Sequence, residues 1–243
     1  MDKWSQLNDL TAGRDKLARL IQYTSRAVWD SLEAADCKPS LSERFKTLEY
    51  ILSSFRKLLR LGRCLDVFYA SLGTIHCPDL IVRVTLTMSK ISQSIFLLAD
   101  HLMWMSRTGL FSRIDVKKWS KLANKYWLFS IAMNLSRDIY EIVRLLDLNN
   151  SRLRGGGSCY QPIYSRIKSR RELKLLALQS YDFIQYHKEV VVDTVKNVCD
   201  LFIPLTSLGY TNLTPRSVGM LGMISSVAAL FALCDPSAKI SPA

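Results

Sequence analysis

Apolar residues recur along this chain at the three- and four-residue intervals of an α-helix, with few glycines or prolines between them. The alternating pattern that would favour β-strands is not found in the sequence. We therefore predict an all-α protein built from long amphipathic and apolar helices. Helices are expected over residues 4–36, 79–106, 116–148 and 171–202, the last ending near Pro204. A turn at Thr108 and Gly109 makes the second and third of these a helical hairpin.

The most regular stripe lies in a further helix, expected over residues 40–63, where Ser40 and Glu43 have the spacing of a capping box. Six apolar side chains follow one face of this helix at intervals of three and four residues. They are Leu41, Phe45, Leu48, Leu52, Phe55 and Leu59. Basic side chains fall along one flank of the stripe, namely Lys46, Arg56, Lys57, Arg60 and Arg63.

Two interpretations fit this helix. In the first it lies in a membrane interface, with its apolar side chains in the acyl boundary and its cations at the level of the lipid phosphates. Such a wedge expands one leaflet and favours curvature. In the second it is an ordinary bundle helix whose stripe packs on residues 4–36. The candidate membrane-binding residues of the first interpretation are Phe45, Leu48, Leu52, Phe55, Arg56, Lys57, Leu59, Arg60 and Arg63.

The C-terminal apolar segment is the strongest membrane signal. Residues 217–234 carry no charge, and a helix of this length extends roughly 27 Å, against a hydrocarbon core of about 30 Å. Thr214 is expected to cap the helix, with Pro215 in its first turn. We predict a membrane-embedded helix here. Small side chains should let it approach a neighbouring helix closely, namely Gly219, Gly222, Ser226 and Ala229.

Charge adds a basic linker to this picture. The formal net charge is +12, and residues 150–171 hold six basic side chains and no acidic one, beside three consecutive glycines. This composition predicts a flexible basic linker over 149–171. An excess of positive charge is typical of proteins that bind nucleic acid or anionic membranes. A nucleic-acid role is disfavoured, because only Tyr160 and Tyr164 are interleaved with these cations and no helix-turn-helix signature accompanies them.

No motif predicts a catalytic, cofactor or metal site, so we expect a protein that is not an enzyme. The six cysteines occur singly without zinc-ligand spacing, and no glycine-rich phosphate loop is present. The three histidines stand far apart along the chain, at His76, His101 and His187. Asp100 and Asp138 are carboxylates within apolar segments, and they are expected to pair with Arg137 or His101 inside the hairpin.

Several stretches, spread in order over nearly the whole chain, carry a family resemblance. They are residues 13–17 with Gln22 and Tyr23, 55–63, 100–104, 136–141, 193–200 with 204–205 and 208–209, and the charge-free 219–232. In this order and spacing they resemble the peroxin-11 family of peroxisome-elongating proteins. Only the basic linker looks unlike a shared feature.

The resemblance implies an integral peroxisomal membrane protein with both termini in the cytosol. It also implies an amphipathic helix that binds and tubulates an anionic phospholipid membrane before division, and the family stretch at 55–63 falls on the striped helix. Self-association, delivery by the peroxin-19 import receptor, and cooperation with a dynamin-related fission GTPase and its membrane adaptors are further implications.

Four segments follow from the pattern: a membrane-remodelling region over 1–70, an apolar hairpin over 71–148, the linker over 149–171, and a helix with the membrane segment over 172–243. The predicted function is elongation and curvature of the peroxisomal membrane, which promotes peroxisome division and proliferation. The alternative is a pore for solutes in the same membrane, with Asp100, Arg137 and Asp138 as lining groups. The number of membrane spans stays open between these interpretations.

Overall fold

The computed structural model describes residues 11–36, 39–109, 115–153 and 187–235, without the side chains of 147–153. All regular structure in this part is helical, which confirms the all-α prediction. In chain order the helices are α1 (Thr11–Ala34), α2 (Pro39–Leu59), α3 (Arg63–Thr74), α4 (Leu80–Arg107), α5 (Val116–Leu153), α6 (Lys188–Leu208) and α7 (Pro215–Cys234).

Short polar side chains start three of these helices. The Asp79 carboxylate accepts hydrogen bonds from the first backbone N–H groups of α4, at 2.9 and 3.4 Å. Asp115 does the same for α5, at 3.0 and 3.2 Å. The Thr214 hydroxyl accepts from the backbone N–H of Ser217 at the start of α7, where Pro215 is the first helical residue. The expected caps at Asp115 and Thr214 are therefore confirmed.

The single helix expected over 40–63 is wrong at both ends. It begins at Pro39, so Ser40 lies inside the helix rather than before it. It ends at Leu59, because Gly62 adopts a left-handed φ of 80° that a continuous helix cannot contain. A separate helix, α3, then follows from Arg63 to Thr74 and was not predicted.

Two other helices run past their expected ends. Pro204 does not terminate α6, which continues to Leu208 and ends at Gly209 with a φ of 82°. A proline inside a helix removes one backbone hydrogen bond, and here Pro204 and the preceding Ile203 are both buried. Helix α5 continues to Leu153, so residues 149–153 of the expected linker are helical. The rest of that linker lies outside the described residues.

The helices form a closed ring rather than two layers. Helix α1 packs on α2 and on α7. From α7 the ring continues through α6, α5 and α4, and it is completed where α4 packs on α2. Helix α3 packs on α4. Side-chain hydrogen bonds join neighbouring helices of the ring. Trp29 of α1 donates to Glu49 of α2 (2.7 Å), and Ser89 of α4 shares a hydrogen bond with Ser130 of α5 (2.9 Å).

The α4–α5 hairpin has a small apolar core. Ala99 and Met103 of α4 pack on Ala123 of α5, and all three are buried. The rings of Phe96 and Trp127 stack beside them with centroids 5.5 Å apart. The predicted hairpin is therefore confirmed as a packed pair of helices.

The distribution of polarity is reversed relative to a typical soluble bundle. Charged side chains are among the most buried, including Asp15, Arg19, Asp100, Arg137 and Asp138, each 7% exposed or less. Large apolar side chains on every helix are exposed at the outer surface. Soluble proteins fully bury such charges rarely, and then in pairs, and they rarely expose apolar surface on this scale. A membrane protein faces lipid with its apolar side and encloses its polar groups.

Candidate functional site

A continuous apolar stripe follows the outer surface of α2 and α3. On both helices its members recur at three- and four-residue intervals, and each is between 37% and 61% exposed. They are Leu48, Ile51, Phe55 and Leu58 on α2, and Leu61, Leu65, Phe68 and Leu72 from the Gly62 turn onward. We call these eight residues the outer stripe. No described helix covers it, so this face is open to whatever surrounds the bundle.

The predicted membrane-binding residues divide between the two sides of α2. Leu48 and Phe55 belong to the outer stripe. The apolar side chains of Phe45, Leu52 and Leu59 are half-buried at its edge. The cations of the set are turned the other way, into the ring.

Those cations neutralise carboxylates rather than facing outward. Arg56 donates to Asp15 at 3.1 Å and to Gln22 at 2.7 Å, joining α2 to α1. The Arg60 guanidinium lies 2.7 Å from the Asp100 carboxylate of α4, and the Lys57 ammonium lies 3.9 Å from it. Burial lowers the pKa of Lys57 to about 8, although Asp100 opposes that effect.

Arg56, Lys57 and Arg60 therefore lie on the inner side of α2 and form salt bridges there. Their contact with lipid phosphates stays a prediction. Buried carboxylates need cationic partners, and α2 supplies them from its inner side. Lys46 of the same flank stays at the outside, where it pairs with Glu33 at 2.5 Å.

The expected pairing inside the hairpin is only partly present. Asp100 pairs with α2, as described, and not with Arg137 or His101. His101 instead shares a 2.8 Å hydrogen bond between its Nε2 and the carbonyl oxygen of Arg60. Arg137 does pair with Asp138, at 2.7 Å, but the two are neighbours on α5 rather than partners across the hairpin.

A second charged cluster joins α5 to α6. Arg137 also pairs with Asp193, which in turn pairs with Lys196. The side-chain amide of Asn197 donates to Asp138 at 2.7 Å, and both of these side chains are buried. The sequence pointed to Arg137 and Asp138, whereas their partners on α6 gave no signal, because the spacing of residues along two separate helices does not reveal which faces meet.

A third contact joins two helices that are not neighbours in the ring. Arg19 of α1 pairs with Asp200 of α6, and both side chains are less than 10% exposed. The backbones of these two helices are not neighbours in the ring. The pair therefore links two helices that are separated in the ring by α7 alone.

The interior holds a cavity of about 660 Å³ that these clusters line. Ten of its lining residues are basic and four are acidic, and the acidic ones are Asp15, Asp100, Asp193 and Asp200. Asp100 and Arg137 of the pore alternative line it, and Asp138 is fully buried behind Arg137. A space of this size falls within the usual range for small-molecule sites.

Lys16 shows the excess of positive charge in the cavity most clearly. Removal from water lowers the pKa of Lys16 to about 7, and the neighbouring charges of Arg19, Lys196 and Arg56 lower it further while Asp15 opposes them. Cations from α1, α2 and α6 therefore converge on one part of the cavity.

Four small residues of α7 lie on its inner side, and we call them the α7 notch. Gly219, Gly222, Ser226 and Ala229 are all buried. A Cβ atom at Gly219 would come within 3.0 Å of the backbone of Ala27 and Tyr23, and one at Gly222 would overlap the Tyr23 ring. The close approach expected from these residues is made to α1. Their placement within a membrane stays a prediction.

Two described helices, α4 and α7, are long and apolar enough to cross a membrane. Helix α7 is the C-terminal segment singled out by its lack of charge. Within the described ranges no group of three or more metal-ligating side chains comes together.

Comparison with known proteins gives consistent results. The model of the family described as Peroxisomal biogenesis factor 11 (PEX11) matches residues 1–234. Peroxisomal membrane protein 11B of Bos taurus is 31% identical over the full length of both chains, and so is that of Homo sapiens. Peroxisomal membrane protein 11A of Homo sapiens is 30% identical over 99% of each chain. No solved structure matches the chain.

Proposed function

The chain belongs to the PEX11 family of peroxisomal membrane proteins, and from this premise we propose that it elongates and curves the peroxisomal membrane by inserting the outer stripe into one leaflet. The family is linked to peroxisome biogenesis, and membrane elongation is the step that leads to division and proliferation of the organelle. The observation that carries the proposal is the outer stripe itself.

The stripe has the geometry of a wedge. Helices α2 and α3 present apolar side chains along their whole outer surface, while their inner side is bonded to α1 and α4 through Arg56 and Arg60. This attachment fixes the position of the outer stripe relative to the rest of the bundle. The apolar area of eight large side chains supplies the driving force for insertion.

This structure changes the chemistry of the proposed insertion. With Arg56, Lys57 and Arg60 directed inward, insertion depends on apolar burial more than on attraction to anionic lipid. On α2, Arg44 and Lys46 are the exposed cations that remain for headgroups at the N-terminal end of the stripe.

We expect Ile51→Glu with Phe55→Glu to reduce membrane tubulation by at least about tenfold, because two carboxylates would have to enter the acyl region. Both side chains are well exposed, at 55% and 45%, so the fold should persist. The measurement is the number of tubules per vesicle by electron microscopy after reconstitution, with helix content followed by circular dichroism.

The matched control is Ile139→Glu with Val143→Glu on α5. This pair has the same four-residue spacing and similar exposure, 60% and 52%, but lies away from the outer stripe. The control protein should still form tubules. Equal loss of tubulation in both variants would show that the stripe has no special role, and the wedge proposal would be abandoned.

The partners and topology implied by the family likeness complete the proposal. We propose self-association, delivery by the peroxin-19 receptor, and later action of a dynamin-related GTPase with its adaptors on the elongated membrane. We also propose that both termini are cytosolic. The antiparallel packing of α1 on α7, with Tyr23 beside Gly222 and Asp30 beside Arg216, supports this by bringing the first and last described residues to one end of the bundle.

A solute pore is a second candidate function, favoured by the charged cavity inside a ring of helices. Asp100 lines that cavity and is 3% exposed. If the cavity conducts, Asp100→Asn should shift the ratio of anion to cation permeability in planar bilayers towards anions, because it removes one of four lining carboxylates. Bilayers that contain the protein at high density but show no conductance would eliminate this function.

A further inference from the structure

The interior cavity is lined by more basic than acidic side chains. Ten basic side chains line it against four acidic ones. An unpaired charge in a low-dielectric interior is costly unless a counter-ion neutralises it or the group loses its charge by gaining or releasing a proton. Glu49 and Asp138, which lie behind the lining, pair with two of these cations, Arg26 and Arg137. Where α1, α2 and α6 meet, Arg19, Arg56 and Lys196 each pair with a carboxylate, and Lys16 is the cation left without a salt bridge among the described residues.

Individual atoms at this point have no partner. The Nε atom of Arg19 is buried without a hydrogen bond, although the other end of the same guanidinium pairs with Asp200. Lys16 lines the cavity and takes part in no salt bridge within the described part of the chain. Arg56 is engaged on one side by Asp15 and Gln22. Donors are therefore left over at the centre of the site.

We propose that this cavity binds a phosphate group, held by Lys16, Arg19, Arg56 and Lys196. A guanidinium fork matches the oxygens of a phosphate, and a lysine ammonium adds a compact charge that adapts to its position. A phosphate carries up to two negative charges and several acceptor oxygens, so it answers the excess charge and the free donors together. Phosphate binding at this site does not depend on insertion of the outer stripe into a membrane or on conduction through the cavity.

The phosphate can come from a soluble phosphorylated molecule or from a lipid headgroup that enters between the helices. The cavity volume of about 660 Å³ accommodates more than a bare phosphate ion. The same side chains would recognise both sources. They are distinguished by adding phosphate in solution in one experiment and within the bilayer in the other.

The test uses the full chain in nanodiscs of phosphatidylcholine, whose headgroup is zwitterionic. In one arm inorganic phosphate and pyrophosphate are titrated and thermal unfolding is followed. In the other, nanodiscs containing phosphatidic acid are compared with phosphatidylcholine nanodiscs in phosphate-free buffer. Saturable stabilisation in the first arm identifies a soluble ligand, and stabilisation in the second arm alone identifies a lipid headgroup. No stabilisation in either arm overturns the proposal.

Lys16→Gln locates the site. Lys16 has no salt bridge to lose, so the variant should fold, and its apparent affinity for the effective probe should fall about tenfold or more through loss of one charged donor. Lys117→Gln makes the same chemical change at an exposed position outside the cavity and should leave the affinity unchanged. Equal affinity of the Lys16 variant and the parent protein would place the phosphate elsewhere and refute the assignment.

Discussion

Replacement of Asp200 by alanine is expected to destabilise the bundle by about 3–5 kcal/mol, because it leaves Arg19 as an uncompensated charge in the interior. The pair joins α1 to α6 on the inner side of α7, and its side chains are 6% and 9% exposed. Arg19 also lies over the Tyr23 ring, with 5.5 Å between its guanidinium carbon and the ring centroid, so a displaced guanidinium would disturb packing as well as charge.

The double variant distinguishes an uncompensated charge from general loss of packing. Arg19→Met with Asp200→Leu removes both charges and keeps most of the volume, so it should recover most of the lost stability. The measurement is the free energy of unfolding in mild detergent, and the single variant must be far less stable than the double. If the double variant is as unstable as Asp200→Ala, the cost lies in something other than the buried charge.

An exposed pair in the same fold provides the comparison. Lys46 and Glu33 also join two helices, but their side chains are 42% and 50% exposed. Glu33→Ala should therefore change stability by no more than about 1 kcal/mol. The difference between the two losses of stability measures how much burial increases the cost of breaking an ion pair.

The second large effect is expected at the α7 notch. Gly219→Ala should destabilise the bundle by roughly 1–3 kcal/mol or more, because its Cβ would lie 2.7 Å from the backbone nitrogen of Ala27 and 2.9 Å from the carbonyl oxygen of Tyr23. Backbone atoms cannot rotate away, so the helices α1 and α7 would have to separate. Thermal unfolding in detergent provides the measurement.

Gly222→Ala tests the same contact against a side chain. Its Cβ would lie 2.6 Å from Cδ2 of Tyr23 and closer still to two other ring atoms, and that ring is 5% exposed. The control is Gly73→Ala in α3, where nothing lies within 4 Å of the added atom. There alanine should be neutral or stabilising by up to about 1 kcal/mol through its higher helix propensity. A uniform response at all three glycines would contradict the close packing of α7 on α1.

The sequence was a good guide where a local interaction decides the structure. The caps at Asp115 and Thr214 involve residues two or three positions apart, so they can be recognised without knowledge of the fold. The small residues of α7 likewise indicated close packing, because their size alone permits it. Their partner on α1 could not be predicted, since nothing within α7 specifies which helix fills the notch.

The direction of α2 shows where this reasoning stops. Helical spacing revealed an apolar face and a basic flank, but not which of them points into the protein. In a soluble bundle the apolar face turns inward, and here it is the basic side that does so. The deciding residues are Asp15 and Asp100, which lie on other helices and attract Arg56 and Arg60. Partners separated by some 40 positions leave no periodic trace in the sequence.

The contacts of α1 with α6 and α7 also bear on the order in which the protein can fold. Arg19 and Asp200 are separated by 181 positions, and Asp30 and Arg216 by 186. Helix α1 can pack on α2 soon after both are synthesised, but its partners on α6 and α7 exist only once those later helices have been made. Contacts of such long range are slow to form, and incomplete chains expose surfaces that aggregate. During this interval the nascent chain carries Arg19 without Asp200 and exposes the side of α1 that α7 later covers.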